Sequence, residues 1–267
     1  MKKTVTIILL LCSIRSFAQP TPTEQAQPIV AEGKLLYRSE MASWYGTDIF
    51  LANYKDQENI GGYFSYTEGN NARCVFYSKA EKPKVIGSVL FDSSYNTRTA
   101  ALSLKERDFT TQEQEIYTIR NITMDLIDHD TLFKFYDNTS LNLVPLINGN
   151  EKKMYILTGT SADDFVVFGN DYLINFDKDN KITGKRKLHS NIIPVGYNKS
   201  GKDADGKDVI GSVHSHLPET GEFITATDIC TLMLYAKFTG WKQHMVVSEK
   251  YVNIWNCANN HLLVIPK

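Results

Sequence analysis

Short runs of β-branched and aromatic residues, each closed by a cluster of turn formers, follow one another along most of this chain. Gly62-Tyr63-Phe64-Ser65-Tyr66, Cys74-Val75-Phe76-Tyr77, Val85 to Phe91 and Ala100 to Leu104 come first, broken by pieces such as Glu68-Gly69-Asn70-Asn71. Runs of this length with turns between them predict an antiparallel meander. More follow at Leu132 to Tyr136, Leu141 to Ile147, Met154 to Gly159, Phe165 to Phe168, Tyr172 to Phe176, Ile182 to Leu188, Ile210 to His216, Met245 to Trp255 and Leu262 to Ile265. Helices interrupt them. Met41, Trp44, Tyr45, Ile49 and Phe50 recur at helical spacing between Leu35 and Tyr54. Thr110 to Glu113 fits a capping box, with an apolar face running to His129, and Asp228 to Phe238 forms a third apolar helix. The expected fold class is α+β, mixed and mostly antiparallel sheets with a few helices. The Asn148-Gly149-Asn150 turn is the expected boundary between a β-rich region with two helices, 34–147, and a second domain, 148–267.

The first residues read as an export leader. Lys2 and Lys3 precede the apolar run Val5 to Cys12, and Ser16-Phe17-Ala18 ends in a small-x-small cleavage pattern. The run is about half the roughly 20 residues a bilayer crossing needs, and no later stretch is long and apolar enough to span a membrane. Leu11 stands before Cys12 where a lipid-anchoring motif wants a small residue. Residues 1–18 are therefore expected to be a signal peptide, and the Pro-, Thr- and Gln-rich stretch within 19–33 a flexible tether. The product is expected in the periplasm or secreted, with no transmembrane segment after cleavage. Removal of Lys2, Lys3 and Arg15 makes the net charge of −1 three units more negative, which excludes the basic footprint of a nucleic-acid binder. An odd set of thiols remains, Cys74, Cys230 and Cys257, without metal-knuckle spacing; a Cys230–Cys257 bridge is one arrangement open to it.

Chemistry concentrates in Ile210 to Thr231. On a strand His214 and His216 face the same way, with Ser215 opposite. A turn containing Pro218 and Gly221 leads to a helix start, where Asp228 can fold back as an oxygen ligand. Two imidazoles and one carboxylate leave a fourth tetrahedral position open, the arrangement of a catalytic zinc. Zinc there lowers the pKa of bound water to about 7. The same letters have a purely structural meaning. Thr225-Ala226-Thr227-Asp228 is also a capping box, in which Asp228 bonds the helix N-terminus and the histidines are ordinary strand residues.

His214-Ser215-His216-Leu217-Pro218 followed by Thr225-Ala226-Thr227-Asp228 resembles the HxH-Pro, loop, SxxD motif of the JAMM (MPN+) metalloproteases. The resemblance covers roughly residues 154–255 and extends to element order: apolar strand, histidine pair, helix after the aspartate, then a strand at His244 to Ser248. It implies a JAMM-like α/β sandwich and a zinc hydrolase of amide or isopeptide bonds. His214, His216 and Asp228 would be Zn2+ ligands, Thr225 would stand for the family's oxyanion-assisting serine, and an upstream glutamate would be the general base. Glu151 is the nearest match for that base, with Asp163, Asp164, Glu219 and Glu222 as rivals. Leu217 is an insertion relative to the motif, and Thr replaces its Ser. By location the substrate is expected to be a peptide or cell-envelope amide. The alternative is a non-catalytic envelope binding or assembly protein, with or without metal.

Weaker signals surround this one. His189 and His244 are candidates to orient a ligand histidine from behind. Asp177 to Asn180 and Asp203 to Asp208 look calcium-like but lack the twelve-residue loop pattern and read as turns. No Gly-x-Ser-x-Gly elbow marks a serine hydrolase. Trp44, Tyr45, Tyr63, Phe64 and Tyr66 suit a core or a carbohydrate or peptide surface.

Overall fold

A computed structural model describes residues 19–267; the expected leader, 1–18, lies outside the described residues. The fold is α+β, with four mostly antiparallel sheets and few helices. A one-turn helix α1, Pro22–Gln25, precedes the long α2, Gln27–Asn53. Strands β1 (Ile60–Glu68), β2 (Asn71–Ser78), β3 (Val85–Phe91) and β4 (Ala101–Ser103) form the expected meander. Helix α3, Thr111–His129, follows, and both halves of the capping box between Thr110 and Glu113 are made. A second sheet has the order β5-β6-β8-β9, from Thr139–Asn148, Glu151–Thr160, Tyr172–Phe176 and Ile182–Lys187. Strand β7, Phe165–Gly169, leaves it to pair with β10, Ile192–Gly196. The last sheet joins β11 (Gly211–Ser215), β12 (Gln243–Val247), β13 (Tyr251–Asn256) and β14 (His261–Pro266). Strands β11 and β12 run parallel, joined by α4, Ala226–Thr239; the remaining pairs are antiparallel.

The expected tether is corrected. Residues 22–25 and 27–33 are helical, and Ala26, Val30 and Gly33 are buried. Pro28 stands at the start of α2, where its missing N–H costs nothing and its fixed φ suits a helix. Helix α2 then crosses α4 closely. A Cβ on Gly33 would stand 2.7 Å from Ile229 Cβ and 2.8 Å from Ala226 O. Gly46 serves the same purpose further along, where a Cβ would meet Cys74 Cβ at 2.6 Å.

The expected division at Asn148-Gly149-Asn150 also changes. Asn148 pairs with Glu151, so this turn closes a hairpin inside one sheet. One buried cluster unites Leu36, Phe50 and Val89 with Tyr155, Leu157 and Cys230, taking in both sides of the turn. Residues 132–136 are not a strand. The Lys134 N–H donates to Tyr172 Oη at 2.8 Å, and Lys134 O accepts from Asn170 Nδ2 at 3.0 Å. Side chains thus satisfy the backbone that a neighbouring strand would have paired. Cys74, Cys230 and Cys257 are all free thiols, so the Cys230–Cys257 bridge is absent. No helix among the described residues is long and apolar enough to cross a membrane.

The α2–α4 crossing yields a prediction. Gly33→Ala forces the two backbones apart and should lower stability by about 1–3 kcal/mol in urea denaturation. An unchanged midpoint would mean that the crossing tolerates the extra carbon.

Candidate metal centre

The histidine pair stands where strand alternation predicts. His214 lies on the buried face of β11, and His216 follows the strand's last residue. Its N–H donates to Val247 O at 2.8 Å, extending the pairing with β12 by one step. Asp228 occupies the third position of α4. The capping box there is complete: Asp228 N–H donates to Thr225 Oγ1 at 3.1 Å, and Asp228 Oδ2 accepts from Thr225 N–H at 2.9 Å. The structural and chemical readings of Asp228 therefore coexist, because the box uses Oδ2 and leaves Oδ1 with no hydrogen-bond partner.

A third imidazole completes the group. His189, between β9 and β10, brings Nε2 to 3.2 Å from His216 Nε2 and 3.3 Å from Asp228 Oδ1. His214 Nε2 lies 3.7 Å from Asp228 Oδ1, and His216 Nε2 lies 3.3 Å from Asp228 Oδ2. All four donors are buried and within 4.8 Å of one another. Bonds of about 2.0–2.2 Å around a tetrahedral ion set donors roughly 3.3–3.6 Å apart, close to these separations. The group can hold a metal ion. Its unpaired atoms agree, since His214 Nε2 is buried with no hydrogen-bond partner, a costly state unless something fills the centre.

The segment bearing His189 is held by the turn after β7. Gly169 has φ of +75°, and a Cβ there would run into Asn191 O and approach His189 Cβ to 3.2 Å. Leu188 N–H donates to Asp171 O at 2.8 Å, and Asn170 N–H to Asn191 O at 3.2 Å. Both ends of the short stretch are thus tied down.

Behind His214 stands His244 on β12. Its Nε2 lies 2.9 Å from His214 Nδ1, and its Nδ1 lies 2.7 Å from Ser212 Oγ. Burial pushes His244 down to about 3 and His214 down to about 4, so both are neutral at ordinary pH. In the tautomer that suits a metal, His214 Nδ1–H donates to His244 Nε2 and His244 Nδ1–H donates to Ser212. This leaves the lone pair of His214 Nε2 aimed at the other donors. Burial alone would lower His189, but Asp228 outweighs it and holds the imidazole above its usual value. Burial would likewise raise Asp228; the charge of His189, with the His216 imidazole beside it, holds the carboxyl well below the ordinary carboxylate range.

The expected catalytic residues fare differently. Thr225 Oγ1 is engaged by the Asp228 N–H and, at 3.0 Å, by Thr227 Oγ1, so the structure places it in the helix cap. Glu151 is not brought to the group. It begins β6 at the surface, and its carboxylate pairs with Lys153 at 2.9 Å. Asp164 pairs with Lys199, and Glu222 accepts from Lys250 N–H. Glu219 comes nearer, accepting at 2.6 Å from the hydroxyl of Ser190, the neighbour of His189. One carboxylate had no signal in the sequence: Asp171, buried, accepts from Thr158 N–H at 2.8 Å, and burial pushes it up to about 7. The two calcium-like stretches are turns, with Asp177 Oδ1 and Asp203 Oδ1 each accepting backbone N–H groups. Beside the cluster opens a hollow of about 560 Å³ whose walls include His189, His214, Ser190 and Leu217.

Comparison with family models, with curated proteins and with solved structures gives no match to this chain.

His244→Phe keeps a flat ring against Phe168 while deleting both nitrogens. Zinc affinity, measured by competition with a chromophoric chelator, should fall about 10–100-fold with the far-UV spectrum unchanged. Wild-type affinity in this variant would remove His244 from the account.

Proposed function

We propose that this chain is a zinc protein, its ion held by His189, His214, His216 and Asp228. The observation that supports it is the convergence of three imidazole nitrogens and the Asp228 carboxylate, within 4.8 Å of one another, in a buried place. A donor set of nitrogen and carboxylate oxygen in that shape suits zinc. Calcium and magnesium prefer all-oxygen shells of higher coordination number. Four protein donors fill the tetrahedron, as in sites that hold a fold together. They come from the β9–β10 connection, the end of β11 and the start of α4, so one ion ties three separate stretches of chain.

A hydrolytic reading has its own support, the hollow that shares His189 and His214. The likeness of the HxH…TxxD segment to JAMM metalloproteases points the same way. When bound, zinc would act there as a Lewis acid on an amide carbonyl. The chain would hold the amide in the hollow lined by Leu217 and Thr220 and withdraw His189 from the fourth position. Glu219, between those two in sequence, would take a proton from the water that attacks the carbonyl and pass it to the amine that leaves as the C–N bond breaks. Export of the chain, read from residues 1–18, would make peptide or envelope amides the substrates.

Elemental analysis of untagged protein tests the metal. One zinc per chain is expected, absent from His214→Ala/His216→Ala. With zinc at a thousandfold excess over its Kd the stabilisation is about 4.1 kcal/mol, so chelation should lower Tm by roughly 8–16 °C. Folded wild-type protein free of metal after zinc reconstitution would overturn the reading. If His189→Ala keeps its zinc and gains amidase activity, the hydrolytic version stands over the structural one.

A further inference from the structure

Away from the imidazoles, α2 carries a carboxylate with no counter-ion. Glu40 and Trp44 lie four residues apart and so share one helical face. That face meets Tyr63 of β1, Asn142 of β5 and Tyr235 of α4, and the five residues line a hollow of about 160 Å³. At roughly 30 Å³ per water, this is room for about five waters. Trp44 is 41% and Tyr63 38% exposed, so the rings are reachable from outside. Burial pushes the Glu40 carboxyl up to about 7, and only the Asn142 amide opposes the shift. No Lys, Arg or His of the described residues forms an ion pair with it.

A second hollow, about 440 Å³, shares Trp44, Asn142 and Tyr235 and adds Asn138, Ser140 and Ser161. Gly159 keeps its floor low: a Cβ there would crowd Asn142 Nδ2 at 3.2 Å and Ser140 Oγ at 3.4 Å. The two hollows form an aromatic pocket with a carboxylate at its end and a hydroxyl- and amide-lined groove leading away.

We propose that this pocket binds a small organic cation, an alkylammonium group seated among Trp44, Tyr63 and Tyr235 with Glu40 as counter-ion and its polar remainder in the groove. The rings present negative faces that attract a cation. Glu40 is half-buried, and a carboxylate partly withdrawn from water with no ion-pair partner gains from an opposite charge beside it. The chain's own behaviour nearby is consistent: the Lys237 ammonium stands 4.8 Å from the Phe238 ring and 5.9 Å from Trp44, yet does not line the hollow. A neutral saccharide would also use aromatic faces and hydroxyl partners, but it leaves Glu40 uncompensated.

Calorimetric titration of the whole chain tests this with four probes: choline chloride, its uncharged isostere 3,3-dimethylbutan-1-ol, Nα-acetyl-lysine methylamide and N-acetylglucosamine. One of the two cations should bind at least tenfold more tightly than the isostere and the sugar. Preference for choline indicates a free or lipid-borne ammonium; preference for the lysine derivative indicates a peptide side chain. Glu40→Gln should weaken cation binding at least tenfold while Tm and zinc content hold, and Trp44→Ala should do the same where Glu40→Gln fails to fold. No heat with either cation, equal binding of the isostere or sugar, or wild-type affinity in the folded variants would overturn the proposal. Zinc content is indifferent to all these outcomes, so the metal centre and this pocket fail or stand separately.

Discussion

The carboxylate of Asp228 serves the cap of α4 and the imidazoles at once, and the arrangement of the centre depends on that double use. Oδ2 closes the capping box with Thr225 and so fixes the carboxylate at the first turn of α4. Oδ1, unpaired by hydrogen bonding, faces His189 and His214. A side chain free to rotate would lose entropy on meeting three imidazoles; this one is already ordered by the helix it caps. The helix N-terminus also favours a negative charge there.

Helix α4 is in turn held by α2, whose Gly33 lets the two backbones approach to distances no side chain would allow. The N-terminal segment is thus connected to the chemistry through packing: α2 sets α4, α4 sets Asp228, and β11 with β12 set the histidines. The imidazole column is built the same way across β11 and β12. Ser212 and His244 are register partners on the two strands, and His244 reaches along the sheet to His214. Parallel pairing places these side chains on one buried face, where neutral histidines pass a defined tautomer from Ser212 to the ligand atom.

Much of this was legible in the sequence, for identifiable reasons. His214 and His216 share a side because a strand alternates, and Asp228 follows a capping-box pattern that the structure realises. The meander and α3 were legible because their turns and caps are local. The sequence offers His189 only as a residue that could orient a ligand histidine from behind, because it lies 25 residues before His214 on a connection shaped by Gly169 and by the pairing of β7 with β10. Strand β10 itself gave no clear signal, since Pro194 interrupts Ile192 to Gly196 and a proline demotes a strand. The start of α2 misled for a similar reason. Pro28 and the glutamines look like a linker, but Ala26, Val30 and Gly33 are buried by contacts with α4 and β14 that no local pattern encodes. Glu151 stands just before a strand, as the resemblance asks of a general base, but that position in the chain does not bring it near the imidazoles. The carboxylate of Glu40 carried no motif at all; its interest arises from Tyr63, Asn142 and Tyr235, brought to it by three other elements.

The central claim is geometric: four side chains from three stretches of chain meet around one point. Anomalous diffraction at the zinc edge from crystals grown with zinc tests it most directly. The account predicts a single strong peak about 2.0–2.2 Å from His189 Nε2, His214 Nε2, His216 Nε2 and a carboxylate oxygen of Asp228. A map with no peak there, or with the ion bound elsewhere and the four side chains apart, would contradict it.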